Sequence, residues 1–287
     1  MNRQHPSVSR MAVALVAALC LAGGVSAESR YPWLPGSAQS AIETVQSIAP
    51  PEGFTRLAQD STSFGSWLRH LPLRTGDNTV YVYDHSPKTN QKAHYRILDI
   101  DTGPRDLQQC ADAVMRLRAE YLLCQKQHDR IHFNFTSGDT ARWSDWKRGI
   151  RPKVDGNKVS FRQSAPPDSS YRSFRSYLDS VFMYAGTHSL KRELEPEIIS
   201  DDIRPGDMFI QGGFPGHAVI VIDVVVSADG KRKLMMLAQG FTPAQDMHIL
   251  KNPNDKDLSP WYRVKPVGRL LTPEWTFNWS DLRRFRD

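Results

Sequence analysis

The run GHAVIVIDVVVS, residues 216–227, constrains the fold more than any other stretch of the sequence. Its β-branched residues follow one another almost without a break and favour extended backbone, so the run predicts a strand that begins at His217. Three more strand-like runs, GDMFIQGG, KLMMLAQGF and MHIL, lie close to it in the second half of the chain. Because helical patterns come earlier and these strands follow in close succession, the sequence predicts an α+β fold with an antiparallel sheet.

The principal helix is predicted in DLQQCADAVMRLRAEYLLC, residues 106–124, where apolar residues recur at helical spacing among good helix formers. Asp106 and Gln109 have the spacing of a capping box, so we expect the helix to start at Asp106. Cys110 would then lie in or just past the first turn. A second amphipathic helix is predicted over residues 170–185.

The first 27 residues have the pattern of a secretory signal peptide. Arg3 and Arg10 precede an apolar run, and small residues up to Ala27 suit cleavage. We therefore expect an exported protein, periplasmic or extracellular, whose mature chain has no transmembrane segment. Lipid attachment at Cys20 is the minority alternative, because a leucine precedes that cysteine where a small residue is usual.

Composition limits the classes of partner and the number of domains. The net charge of +6 falls by two, to +4, when the two signal-peptide arginines leave, and the basic residues are scattered among acidic ones. The sequence therefore lacks the cluster of basic residues that is typical of nucleic-acid binding. No linker, repeat or low-complexity tract divides the remaining residues, so we expect a single domain over 28–287, with an insertion at about 137–200.

Cys110 and Cys124 are the two cysteines that remain in the mature chain. In one continuous helix their sulfurs would lie roughly 20 Å apart, which excludes a disulfide between them. We interpret Cys124 as a small hydrophobic residue that packs in the core. Cys110 would have the same interpretation if taken alone, but a helix N-terminus lowers a thiol pKa and favours the nucleophilic thiolate.

A histidine and an amide give Cys110 possible partners. His217 starts the β-branched strand, but Asp223 lies too far along that strand to orient its ring. If residues 228–230 form a three-residue hairpin loop, Gln239 lies on the face of His217 on the next strand. Cysteine, histidine and amide then form a nucleophile, base and orienting group.

The backbone N–H of Cys110 would donate a hydrogen bond to the oxyanion of an acyl-transfer intermediate. The side chain of Gln108 or Gln109 is a candidate for the second donor. Four aromatic residues are candidates for a substrate groove, with packing of the insertion as the preferred alternative: Trp143, Trp146, Trp261 and Tyr262. Metal binding is disfavoured because the histidines are scattered and form no HExxH motif. The sequence implies no cofactor.

The segments QCADAV, PGDMFI, GHAVIVID and MLAQG resemble the papain-like NlpC family of bacterial cell-wall cysteine peptidases and amidases. The resemblance implies a papain-like core in which Cys110 is the nucleophile, His217 the base and Gln239 the polar third member. It also implies a peptide or glycopeptide of the cell envelope, such as the peptidoglycan stem peptide, as substrate. His217 lies 107 positions after Cys110, and this long separation implies an insertion between helix and sheet.

The whole chain, with YPWLPG, FNFTSG, YAGT and SPWY, is also similar to a bacterial family of exported proteins of unknown function. The expected function is a secreted cysteine hydrolase that cleaves an amide bond in a cell-envelope substrate. The alternative is a catalytically inactive envelope protein of the same fold that binds glycan or peptide.

Overall fold

The structure is a computed structural model that describes Met1 and residues 31–34, 43–195, 198–265 and 267–286. The predicted signal peptide, apart from Met1, lies outside these residues. The helices are α1 (Phe64–Arg69), α2 (Cys110–Cys124), α3 (Trp143–Trp146), α4 (Tyr171–Tyr184) and α5 (Thr187–Glu193). The strands are β1 (Phe54–Arg56), β2 (His94–Ile97), β3 (His132–Asn134), β4 (Thr140–Arg142), β5 (Ile150–Asp155), β6 (Lys158–Gln163), β7 (Met208–Gln211), β8 (His217–Ser227), β9 (Lys233–Gln239), β10 (His248–Leu250), β11 (Trp261–Arg263), β12 (Arg269–Leu271), β13 (Thr276–Asn278) and β14 (Leu282–Arg283).

An eight-stranded antiparallel sheet forms the centre of the fold. Its main order is β14-β7-β8-β9-β10-β2, and β1 and β11 extend it beside β8 and β9. β8 is long enough to pair with β7 near His217 and with β1 near Ser227. The four strands predicted in the second half of the sequence are therefore confirmed as neighbours in one sheet, and the protein has a mixed α+β fold.

Both faces of the sheet are covered, which explains the almost uninterrupted apolar run of β8. On one face, Ala218 and Ile220 belong to the larger core, which α1, α2 and α4 complete. On the other face, Val219 and Val221 pack in a smaller core that includes Phe277 of β13. A strand buried on both faces has no polar side to give it alternation.

The β8–β9 hairpin reaches its register by a route that the sequence analysis did not predict. Ser227 and Arg232 bracket a four-residue loop, rather than the expected three-residue one, and Gly230 in this loop has a left-handed backbone conformation (φ 71°). A β-bulge at Ile222 then shifts the pairing by one residue. Ile220 consequently faces Ala238, the register that the prediction for His217 and Gln239 required.

Helix α2 begins at Cys110, so the predicted start at Asp106 was wrong. Gln109 is the N-cap, and its backbone N–H donates to the Asp112 carboxylate at 3.1 Å. Asp106 instead accepts hydrogen bonds from the Gln109 side chain at 3.0 Å and from the Ala244 N–H at 2.7 Å. Because Asp106 holds the chain ahead of the helix in this way, Cys110 occupies the first helical position.

Residues 137–195 and 198–200 hold the elements between β3 and β7. They include β4, α3, the β5–β6 hairpin, α4 and α5. Ser170 caps α4, because its side chain accepts the Ser173 N–H at 3.1 Å. The predicted second helix over residues 170–185 is thus confirmed as α4. The alternating TVYVYD segment, residues 79–84, has the pattern of a strand but forms only isolated bridges.

The described part of the chain contains no helix that combines the length and the apolar character needed to cross a bilayer.

Gly240 lets the start of α2 lie directly on the end of the sheet. A Cβ at this position would meet the carbonyl oxygen of Gln109 at 2.9 Å and the Ala113 Cβ at 3.1 Å. That same oxygen accepts the first hydrogen bond of the helix, from Ala113 N–H at 3.0 Å. The residue after β9 therefore has to be small for the helix to reach the sheet at this distance.

Gly240→Ala should lower the free energy of unfolding by about 1–3 kcal/mol, because the added methyl group overpacks a contact with backbone. Urea unfolding measures the change. Gly186→Ala is the matched control, since a Cβ there meets nothing within 4 Å, and its expected cost is about 0.5 kcal/mol for alanine at an N-cap. Equal losses in the two variants would contradict the packing described for Gly240.

Candidate active site

A cleft of about 690 Å³ opens where the start of α2 meets the ends of β8 and β9. Its walls come from the first turn of α2, the end of α4, the loop before β8 and the segment after β9. Cys110 and His217 both line it. The exposed ring of Phe214, 87% accessible, lies at its rim.

Cys110 is held against the strand that carries His217. The backbone N–H groups of Ala218, Ala111 and Cys110 itself reach its sulfur and act to lower the thiol pKa. Ala218 directly follows His217, so the thiol lies beside the start of β8. The residue is only 7% exposed. Burial, with the nearby carboxyl of Asp112, outweighs the N–H groups and raises the pKa of the Cys110 thiol to about 11.

His217 contacts Gln239 as the sequence analysis expected. Its Nε2 lies 2.8 Å from the Gln239 Oε1. Three aromatic rings surround the imidazole, with centroids at 4.9 Å for Phe241, 5.3 Å for Trp275 and 5.8 Å for Phe277. This apolar burial lowers the pKa of His217 to about 4, although the hydrogen bond to Gln239 opposes the shift.

Gln239 is fully buried, and its neighbours determine which end of its amide faces His217. Its Nε2 donates to the Glu274 carboxylate at 2.8 Å and lies 3.3 Å from the His248 Nε2. Both neighbours are acceptors, because the His248 Nδ1 donates to the carbonyl of Asp246 at 2.8 Å. The amide oxygen therefore faces His217, whose Nε2 must carry the ring proton.

The raised pKa of Cys110 and the lowered pKa of His217 leave both groups neutral, as a thiol and an imidazole that line the same cleft. The prediction that the helix N-terminus lowers the Cys110 pKa is wrong, because burial raises this pKa by more than the N–H groups lower it. The His217 ring, protonated at Nε2, keeps an unprotonated Nδ1. Such a pair can transfer the thiol proton to the imidazole during nucleophilic attack, instead of storing a thiolate beforehand.

The two glutamines predicted as oxyanion donors have different locations. Gln108 is not among the residues that line the cleft, because its side chain accepts from Arg116 at 2.8 Å and donates to the carbonyl of Asp101 at 3.3 Å. Gln109 does line the cleft, where its Nε2 donates to Asp106 and its Oε1 accepts from Thr242 at 3.1 Å. Of the two, only Gln109 lines the cleft together with Cys110, so it is the better candidate for a second oxyanion donor.

The four predicted groove aromatics do not line this cleft as the structure describes it. Trp143 is buried against α4, and Trp146 packs under the Arg151 guanidinium at 3.9 Å. Trp261 and Tyr262 belong to β11 and are almost fully buried. Their locations fit the packing alternative rather than a substrate groove.

The aromatic residues that do line the cleft are Phe182, Phe214, Phe241 and Trp275.

Sequence reasoning missed two carboxylates of the site. Asp112 lines the cleft, and one of its oxygens is buried without a hydrogen-bond partner among the described residues. Burial raises its pKa well above the usual range. The sequence did hold a signal for Asp112, because it lies three residues after Gln109, at the spacing of a capping box. Glu274 lies 35 residues from Gln239 in sequence, and no local pattern links the two.

Within the residues that the structure describes, no group of three or more His, Cys, Asp or Glu has the arrangement of a metal site.

Alkylation by iodoacetamide should report the resting protonation state of Cys110. In a Cys124→Ser variant of residues 28–287, a Cys110 pKa of about 11 leaves roughly one thiol in ten thousand ionised at pH 7. The rate should therefore be slow and rise about tenfold per pH unit up to pH 10. The same variant unfolded in urea should react faster at pH 7. Fast labelling that is constant from pH 5 upward would contradict the neutral pair, because it indicates a preformed thiolate–imidazolium pair.

Comparison with the curated proteins and with the solved structures gave no match. A protein-family model, described as Domain of unknown function (4846), matches residues 44–284. This span contains all the residues that form the cleft, from Asp106 to Trp275. Because the model covers most of the chain, the protein belongs to the family described as Domain of unknown function (4846).

Proposed function

We propose that this protein is a secreted cysteine hydrolase with a papain-like, NlpC-type core that cleaves an amide bond in a cell-envelope substrate. The observation that carries the proposal is the 2.8 Å contact between His217 Nε2 and Gln239 Oε1, in the cleft that Cys110 also lines. An amide that accepts from Nε2 leaves Nδ1 as the base, as a cysteine–histidine pair requires. The peptidoglycan stem peptide is the substrate class implied by the resemblance.

The reaction divides into two acyl transfers. Cys110 Sγ attacks the substrate carbonyl carbon while His217 Nδ1 takes the thiol proton, and the carbonyl oxygen becomes an oxyanion. The Cys110 backbone N–H, with the Gln109 amide as second donor, is placed to stabilise that oxyanion. The imidazolium then gives its proton to the leaving amine and the C–N bond breaks. Water, deprotonated by His217, hydrolyses the thioester and restores the Cys110 thiol.

The arrangement of elements supports the papain-like part of the proposal. The cysteine is the first residue of a buried helix that packs on an antiparallel sheet, and the histidine and the amide lie on neighbouring strands of that sheet. The proposed core joins α2 to β7–β9 within one domain over 28–287, and the elements at about 137–200 are its insertion. Export rests on the pattern of residues 1–27.

A catalytically inactive binding protein of the same fold is the second candidate. The observation that favours it is the neutral resting pair, since Cys110 is deeply buried and its pKa is raised. Such a protein would use the cleft, with the exposed Phe214 at its rim, to hold an envelope peptide or glycopeptide without cleaving it.

The test uses the purified mature chain and soluble muropeptides from bacterial peptidoglycan. Cleavage of an amide bond releases a new amine, which derivatisation and mass spectrometry measure. The wild-type chain should release amine, and Cys110→Ser and His217→Ala should each reduce the rate by a factor of at least about 10³. Gln239→Ala should reduce it roughly 10- to 100-fold, because the ring loses the partner that orients it.

Trp146→Phe is the matched control, since this residue lies outside the cleft, and its rate should equal that of the wild-type chain. Binding of muropeptides by both wild type and Cys110→Ser, with no amine released by either, would support the inactive candidate. Cleavage that survives Cys110→Ser would contradict the cysteine mechanism.

A further inference from the structure

The amide of Gln239 has a polar support that lies outside the cysteine, histidine and glutamine set. Glu274, in the turn between β12 and β13, accepts the Gln239 Nε2 hydrogen bond at 2.8 Å. The same carboxylate oxygen accepts from Lys88 Nζ at 2.6 Å, and the other oxygen accepts from Asn90 at 3.1 Å. The side chains of Lys88 and Glu274 are 8% and 10% exposed, so this ion pair is largely removed from water.

A buried amide has two orientations that differ only by exchange of its oxygen and nitrogen. In the observed orientation, the NH₂ group of Gln239 meets the carboxylate of Glu274 and the Nε2 of His248, while the oxygen meets His217. The reverse orientation would place the oxygen against two acceptors. The 2.8 Å contact with a charged carboxylate is the stronger of the two constraints, because the contact with His248 is 3.3 Å.

The orientation of the amide decides which nitrogen of His217 can act as a base. With the oxygen facing the ring, Nε2 has to carry the proton and Nδ1 is the acceptor. With the NH₂ group facing the ring, Nε2 would have to accept and Nδ1 would carry the proton. In that second tautomer the ring's lone pair is on Nε2, which faces Gln239, and the protonated Nδ1 cannot accept the Cys110 proton.

We infer that Glu274, held by Lys88 and Asn90, is a positioning residue that fixes the Gln239 amide and thereby the reactive tautomer of His217. The inference rests on the proposed function for its catalytic consequence, but the tautomer itself can be measured without any substrate. Glu274 acts through Gln239 and is not among the described residues that line the cleft with Cys110. Its part in the site is to make one of two amide orientations unfavourable.

The experiment compares three chains labelled with ¹⁵N-histidine: wild type, the glutamine double variant (Lys88→Met with Glu274→Gln) and the methionine double variant (Lys88→Met with Glu274→Met). Both double variants remove the buried charge of Lys88 together with that of Glu274, so neither leaves an unpaired buried charge. They differ only at position 274, where glutamine keeps an oxygen that can accept from Gln239 and methionine does not. Long-range ¹H–¹⁵N correlation spectra at pH 7 report the tautomer, and His217→Ala assigns the His217 signals.

Wild type and the glutamine double variant should show His217 protonated at Nε2 alone. The folded methionine double variant, verified by cooperative unfolding in urea, should populate the Nδ1-protonated ring, and its amide hydrolysis should fall roughly 10- to 100-fold. A methionine double variant that keeps the wild-type tautomer overturns the inference, as does a glutamine double variant that loses it. If wild type cleaves no muropeptide, the hydrolase proposal fails, while the tautomer comparison still decides the role of Glu274.

Discussion

The contact between the first turn of α2 and the ends of β8 and β9 is the constraint on which the site depends. Gly240 allows the helix to approach the sheet so closely that a single methyl group would collide with the carbonyl of Gln109. The same approach puts the Cys110 sulfur beside the Ala218 N–H, at the first residues of β8. Packing of apolar surface on both faces of β8 stabilises this arrangement, and the polar groups of the site depend on it.

Burial also determines the electrostatics of the site. It raises the pKa of Cys110 and lowers that of His217, so both groups rest without charge. In such surroundings, hydrogen bonds orient the uncharged groups, and a polar atom left without a partner is costly. The hydrogen-bond network around Gln239 avoids that cost. The Gln239 NH₂ group faces the acceptors of His248 and Glu274, and its oxygen accepts from His217 Nε2. A neutral amide suffices as the third member because it can accept from Nε2 without adding a charge.

The sequence predicted well what depends on local pattern. The apolar run of β8 and the helical spacing of α2 were sufficient to predict both elements, and the separation of Cys110 from Cys124 followed from helix geometry. The contact between His217 and Gln239 was also predicted, but the four-residue loop and the bulge at Ile222 each shift the register, and they compensate for one another. Neither the loop length nor the bulge has a distinct local signal, so the sequence does not predict them.

The other features that sequence reasoning got wrong or missed depend on two residues that compete for one role, or on contacts between residues far apart in sequence. Asp106 satisfies the capping pattern as well as Gln109 does, and its bond to the distant Ala244 decides where α2 begins. The sign of the Cys110 pKa shift depends on burial by segments far away in sequence, which outweighs the helix terminus. Glu274 likewise reaches the site from a turn near the end of the chain.

The most direct measurement of the central claim, that Cys110 and His217 act as one acyl-transfer pair, uses p-nitrophenyl acetate as an activated acyl donor. Intact mass and peptide mapping of the mature chain locate the acetyl group within the first minute of reaction. The account predicts a single acetyl group on Cys110 in the wild-type chain and almost none in folded His217→Ala at the same pH. Equal acetylation of Cys110 in the two chains, or none in either, would contradict it.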